Sequence, residues 1–248
     1  MRLSHKKILI TGATSGIGKA SVEACLNEGA FVFFTGRDAK KVHDLQKYWG
    51  KQTIGLVSDA SDWQAQSSLI QSIAQHTTAL DAIYLNAGDV THAPLTEWDS
   101  ISFDRVFNTN VKAPFFLIQS ALSLLSKNST VILCGSTSIH IGLAQSSVYA
   151  ASKAALRSLV KTLSGELLQR NIRFNLLSPG PTYTDAFDKL GLHDEQKQLM
   201  IDEIKNLVPL GRLAKPEELA QAVVFLASDE SRFMLGTEIL MDGGVANL

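Results

Sequence analysis

Tyr149 and Lys153 stand four residues apart in a strongly helical run, and Ser136 lies thirteen positions upstream. Four residues is just over one helical turn, so the phenol and the ammonium share a face. A free phenol, with a pKa of about 10, is a poor acid or base at neutral pH. A cation beside it stabilises the phenolate and makes the group a usable proton donor and acceptor. Near the start of the chain, Thr11-Gly12-Ala13-Thr14-Ser15-Gly16-Ile17-Gly18 forms a glycine turn between a strand and a helix. Glycine lets the backbone bend sharply, and a pyrophosphate can then approach the free N–H groups of the helix N-terminus. A dinucleotide turn followed by a paired Tyr and Lys points to hydride chemistry at a carbonyl or alcohol carbon.

Those residues need a scaffold, and short apolar runs alternating with helical patterns supply it. Strands are expected at Ile8–Ile10, Ala30–Phe34, Thr53–Val57, Ala82–Leu85, Val131–Leu133, Ile172–Leu177 and Thr237–Met241. Helices are expected from Gly16 to Glu28, from an Asp38 cap to Gly50, and from Ser61 or Asp62 to Gln75. Further helices are expected over Phe103–Ser126, through the run carrying Tyr149 and Lys153, and from Pro216 to Ala227. The strands are continuous apolar runs, as in a parallel sheet covered on both faces. The fold class is therefore α/β, a doubly wound parallel sheet of Rossmann type in one domain over residues 1–248. The stretch 185–213 breaks the rhythm after the sixth strand, where an open sheet places its ligand crevice, and reads as a substrate lid. A plain helical hairpin is the alternative.

The bulk composition excludes several classes. A formal net charge of −1 gives no footprint for nucleic acid. No apolar stretch approaches the ~20 residues of a membrane span, and Ile8-Leu9-Ile10 is too short for a signal-peptide core. Two cysteines, Cys25 and Cys134, do not make a disulfide framework, so a cytoplasmic protein is expected. No His, Cys, Asp or Glu spacing reads as a metal site. His92 and His140 could reach a substrate pocket, but are expected to be loop histidines without a catalytic part.

The end of the second strand distinguishes the cofactors. An acidic residue there would bind the ribose 2′-hydroxyl of NAD and repel a 2′-phosphate. This chain has Gly36 and then Arg37, and a guanidinium can bind phosphate with paired hydrogen bonds. NADP(H) is expected in preference, with NAD(H) possible. Tyr149, Lys153, Leu156, Val160, Leu163 and Leu167 step along one helical stripe, so the Tyr–Lys pair continues a buried face.

Together these pieces resemble the short-chain dehydrogenase/reductase family, in its shorter non-extended branch, over nearly the whole chain. The matching motifs, in order, are Thr11-Gly12-x-x-x-Gly16-Ile17-Gly18, Asp59, Asn86-Ala87-Gly88, Asn110, Ser136, Tyr149-x-x-x-Lys153, Pro179-Gly180-x-x-x-Thr184 and Asp242-Gly243-Gly244. The resemblance implies a catalytic set of Asn110, Ser136, Tyr149 and Lys153. Tyr149 would be the general acid in reduction, and Lys153 would stabilise its phenolate and bind the nicotinamide ribose. Ser136 would polarise the substrate oxygen, and Asn110 would support a proton-relay water. Asp59 would approach the adenine, and Asn86, Ala87 and Gly88 would line the cofactor with Gly12, Thr14, Ser15, Gly16, Ile17 and Gly18. Pro179, Gly180 and Thr182 lead to Thr184, which would contact the nicotinamide amide. Asp89 stands where the family commonly has an apolar residue.

The resulting expectation is a carbonyl reductase running reversibly as an alcohol dehydrogenase, on a small-molecule substrate. A 3-oxoacyl-carrier-protein reductase is a special case that would need a basic patch, with Arg105, Arg157, Arg170 and Arg173 as candidates. The alternative is a cofactor-binding regulatory or interaction subunit without turnover. The resemblance also implies a homotetramer.

Overall fold

The computed structural model describes residues 1–185 and 193–248. Seven parallel strands form one sheet, in the order β3-β2-β1-β4-β5-β6-β7. They are β1 (Lys7–Ile10), β2 (Phe31–Gly36), β3 (Thr53–Val57), β4 (Leu80–Leu85), β5 (Leu125–Cys134), β6 (Arg173–Pro179) and β7 (Glu238–Met241). Successive side chains leave opposite faces of a strand, so an apolar run feeds two cores at once. Leu9, Phe33, Ile83, Val131 and Phe174 enter one cluster. Their neighbours Ile8, Ile10, Val32, Phe34, Ala82, Tyr84 and Ile132 enter the other.

Helices cover both faces. On one lie α1 (Gly16–Asn27), α2 (Ala39–Trp49) and α8 (Pro216–Ala227), whose buried Val22, Val42, Val223 and Val224 belong to the second cluster. On the other lie α3 (Gln66–Ala74), α5 (Ala113–Ala121) and α6 (Ser147–Glu166), which bring Ile73, Leu117, Leu156 and Val160 to the first. The expected caps form. Asp38 accepts from the Lys41 N–H at the start of α2, and Gly50 closes that helix with a φ of 76°. A carboxylate there satisfies an otherwise orphaned donor.

The expected long helix over 103–126 is not continuous. It divides into α4 (Ser100–Phe107), a π-helical turn over Asn108–Lys112, and α5, and the chain enters β5 at Leu125. A π-turn inserts a residue into the helical ladder, and such turns recur at functional sites. Here it carries Asn110, whose side chain bonds outside the helix. Within the expected lid, α7 (Asp194–Asn206) is helical and buries Ile201; residues 186–192 lie outside the described residues.

After β3 the chain crosses back over the sheet to place β4 beside β1. The loops following β1 and β4 thus diverge from one point, the place where open α/β sheets bind ligands.

Candidate functional site

The glycine turn and the loop after β4 are stitched together at that point. The Thr11 hydroxyl accepts from the backbone N–H groups of Asn86 and Ala87, each at 3.1 Å. The Asn86 amide donates back to the carbonyls of Thr11 and Gly12, both at 3.1 Å. Asn86 therefore holds the shape of the phosphate-type turn as well as lining it. Gly12 has a φ of +62°, and a Cβ there would lie 2.8 Å from the Ala87 Cα. At Gly18 a Cβ would meet the Gly12 carbonyl oxygen at 2.5 Å and the Asn86 amide nitrogen at 2.6 Å. These glycines are required by close approach of backbone to backbone.

Ser15 sits at the N-cap of α1 in an extended conformation and makes no side-chain cap, and the first turn carries no acidic residue. Uncapped N–H groups and the positive end of the helix dipole face the turn, a setting suited to an anion. Thr14 touches the end of β2, where a Cβ on Gly36 would collide with its methyl group. Arg37 follows, exposed, with no hydrogen bond or ion pair among the described residues. Asp59, past β3, is exposed and accepts from the Ser61 N–H and hydroxyl; the adjacent Ser58 N–H bonds the Gly36 carbonyl. Arg37 and Asp59 thus stand at one end of the cleft.

After β6, the Gly180 N–H bonds Met241, and the Thr182 hydroxyl donates to the Gly180 carbonyl. Thr184 reaches the glycine turn, where a Cβ on Gly16 would lie 3.1 Å from its Cγ2. Pro179, Gly180, Thr182 and Thr184 therefore arch from the sheet to the start of α1, with Ile17 behind.

The second half of the site is built on α6. Its stripe is as expected: Lys153, Leu156, Val160 and Leu163 are buried and Tyr149 is half-buried. Lys153 is only 3% exposed. Its ammonium donates to the Cys134 carbonyl at 2.7 Å and lies 5.7 Å from the centre of the Tyr149 ring. A Cβ on Gly88 would lie 3.4 Å from that nitrogen and 3.3 Å from the Asn110 Oδ1, a close but not forbidden contact. A buried cation with no carboxylate beside it is costly, and two of its three donor positions have no partner among the described residues.

Asn110 is 1% exposed. Its Oδ1 accepts from the Asp89 N–H at 2.7 Å, and its amide donates to the Asp89 carbonyl and the Ser152 hydroxyl, each at 2.9 Å. Ser152 in turn donates to the Tyr149 carbonyl. The π-turn is thereby tied to the loop after β4 and to α6. Ser136, just past β5, is buried and receives both the N–H and the hydroxyl of Ser138, at 3.2 and 3.0 Å. With Ser138 donating to it twice, its own proton has no acceptor among the described residues. Thr137 is fixed by a hydrogen bond to Asp242 at 2.8 Å.

Several residues noted in the sequence make contacts that their spacing did not reveal. Asp89 pairs with Arg105 at 2.8 Å and accepts from the Thr91 N–H. Burial works against its charge, but the hydrogen bonds from Thr91 and Arg105 outweigh it and hold the carboxyl below its usual range. The Asp-x-Thr spacing was a legible signal for this turn. His92 packs on Tyr149 with ring centres 5.2 Å apart. His140 faces away from Tyr149, bonding Glu238 at 2.8 Å in a groove of about 340 Å³ along β7. Nothing in the spacing separated the two histidines. The four arginines considered for a basic patch are bound separately: Arg105 to Asp89, Arg157 to Glu238, Arg170 to the Leu122 carbonyl and Arg173 to the Ser231 carbonyl. Among the described residues no group of three or more His, Cys, Asp and Glu could hold a metal ion, and no helix is long and apolar enough to cross a membrane.

Comparison with known proteins gives a consistent picture. A family profile described as Enoyl-(Acyl carrier protein) reductase matches residues 12–246. The chain is 36% identical over 250 residues to "Oxidoreductase asL5" of Sarocladium schorii, covering 100% of this chain and 98% of that one. It is 34% identical over 254 residues to a 3-oxoacyl-[acyl-carrier-protein] reductase of Thermotoga maritima, covering 99% of each. Among solved structures, a short-chain dehydrogenase/reductase from Serratia marcescens superposes with a TM-score of 0.91 at 29% identity, covering 99% of this chain and 100% of the other.

Proposed function

The chain belongs to the short-chain dehydrogenase/reductase family of oxidoreductases, and from that premise we propose that it moves a hydride between NADP(H) and a carbonyl or secondary alcohol, with Tyr149 as the general acid and base. The observation that carries this reading is the buried Lys153 ammonium beside the Tyr149 ring, bonded among the described residues to the Cys134 carbonyl alone. A buried cation without a counter-charge is retained where a phenolate needs stabilising and where ribose hydroxyls can take its remaining donors.

The cradle fits a dinucleotide. The glycine turn, the uncapped start of α1 and the clearance at Gly36 leave room where any Cβ would intrude. When bound, the nicotinamide supplies the hydride. The chain's own residues do the rest. Gly12, Thr14, Ser15, Gly16, Ile17 and Gly18 receive the phosphates, and Asp59 the adenine. Arg37, exposed and without a partner among the described residues, would take the 2′-phosphate, and Gly36 in place of a carboxylate at the end of β2 supports NADP(H) over NAD(H). Asn86, Ala87, Gly88, Pro179, Gly180, Thr182 and Thr184 enclose the nicotinamide end. Ser136 donates its free proton to the substrate oxygen and orients it toward Tyr149. Tyr149 then delivers its proton to that oxygen during reduction and recovers one along a path past Lys153 and Asn110.

One domain over 1–248, with α7 as part of a lid, completes the proposal. A groove of about 990 Å³ between α7 and residues 212–218, lined partly by Tyr183, Ile201 and Leu213, supports the lid. We place the protein in the cytoplasm as a homotetramer, the state the family resemblance implies, to be measured by mass in solution.

The test is oxidation of NADPH, with NADH in parallel, against a panel of ketones. Tyr149→Phe should bind NADPH with the wild-type Kd and lose about 10²–10⁴-fold in kcat. A Phe variant of wild-type activity would refute the assignment.

A further inference from the structure

His92 is not part of the motif set, yet the fold holds it from both sides. At one end of its loop, Asp89 is fastened to Asn110, Thr91 and Arg105. At the other, the Ala93 N–H bonds the Gln145 carbonyl at 3.0 Å, and the Trp98 indole donates to the Ala93 carbonyl at 3.1 Å. Gln145 adopts a left-handed φ of 64°, which turns the chain into α6 and sets Ser146 opposite the imidazole. The Ser146 hydroxyl lies 2.7 Å from His92 Nδ1. The ring itself packs against Tyr149, tilted by 53°.

The tautomer follows from hydrogen-bond accounting. Ser146 is 1% exposed, and its hydroxyl has no acceptor among the described residues other than His92 Nδ1. A buried hydroxyl proton needs an acceptor. The Ser146 proton therefore goes to Nδ1, and the ring proton belongs on Nε2. Crowding by protein atoms lowers the imidazole pKa, which favours the neutral ring. His92 as a residue is exposed, while its Nδ1 edge is turned to buried Ser146. The Nε2–H is thus the ring edge turned away from Ser146, and it has no partner among the described residues.

We propose that His92 is a specificity-determining donor: its Nε2–H binds a second oxygen of the substrate, next to the carbonyl that Tyr149 protonates. This rests on the oxidoreductase reading of the Tyr149 site. The substrate class it selects is a ketone carrying a further oxygen acceptor near the reacting carbon, as in a 3-oxo ester. A plain ketone satisfies Tyr149 and Ser136 but offers the imidazole no acceptor, so it forgoes that hydrogen bond.

The experiment compares ethyl 3-oxobutanoate with 2-pentanone, using NADPH and the full-length protein. His92→Phe keeps a ring against Tyr149 and removes the donor. The kcat/KM ratio of ester to plain ketone should fall about tenfold in this variant, the value of one neutral hydrogen bond. His92→Gln, which restores an N–H donor, should recover part of that ratio. A ratio unchanged in His92→Phe overturns the inference, even when the absolute rates of both substrates drop together through altered packing. Wild type inactive on both ketones with either cofactor overturns the oxidoreductase reading as well. Nitrogen NMR of the imidazole gives a readout independent of turnover. An Nε2–H tautomer is expected, and an Nδ1–H tautomer overturns the inference.

Discussion

Replacing Asn110 with leucine removes three hydrogen bonds while nearly keeping the volume of a side chain that is 1% exposed. The lost partners are not equal. Ser152 keeps its bond to the Tyr149 carbonyl, so it loses only an accepted proton. The Asp89 N–H and carbonyl lose the one side-chain partner they have among the described residues. An orphaned buried polar group costs about 1–3 kcal/mol, and Asp89 is half-buried, so water recovers part of it. The expected destabilisation is about 2.5 kcal/mol, which in a domain of this size lowers the unfolding midpoint by about 5–10 °C. Asn110→Asp is the informative control. It keeps the acceptor for the Asp89 N–H but sets an oxygen against the Asp89 carbonyl, so it should lose at least as much as leucine. Thermal denaturation of the three proteins at pH 7 measures this directly. If leucine costs under 2 °C, or if aspartate is as stable as wild type, then the π-turn is not held by this amide.

Three further outcomes are expected. Gly18→Ala places a methyl group against the Gly12 carbonyl and the Asn86 amide, so it should destabilise by about 1–3 kcal/mol and weaken NADPH binding in a direct titration. Arg37→Asp should reverse the cofactor preference, changing the ratio of kcat/KM for NADPH over NADH by about tenfold or more; wild type binding NADH as tightly as NADPH would remove the reason for it. Asp242 accepts hydrogen bonds from Thr137, Gly244 and Ala246; burial opposes its charge, but these bonds prevail and depress its pKa. A depressed carboxylate contributes stability that is present above its unfolded pKa of about 3.9 and lost as pH falls through the lower folded value. The gap in midpoint between wild type and Asp242→Asn should therefore be wide at pH 7 and narrow progressively below about pH 4.

The strands were legible because a parallel sheet buries both faces, which writes each strand as an unbroken apolar run; Thr53–Val57 appears with those bounds. The helices on α1 and α8 were legible from glycine, proline and the apolar stripe. The stretch 103–126 misled because composition there is helical throughout, and nothing local marks a π-turn. The insertion is favoured by what Asn110 meets across space, Asp89 from one loop and Ser152 from α6.

The same division holds for the site. Residue types and one-turn spacing by themselves determined that Tyr149 and Lys153 share a face and that Gly12, Gly16 and Gly18 open a helix, because both facts follow from the period of a single element. Whether a glycine is required, which way an ammonium points, and which of two loop histidines meets the tyrosine depend on atoms distant in the chain. Gly18 clears space for an asparagine sixty-eight residues later, and His92 takes its tautomer from Ser146. Only the packed sheet and its crossing loops bring such pairs to contact distance, and contact distance is what hydrogen bonds and steric repulsion obey.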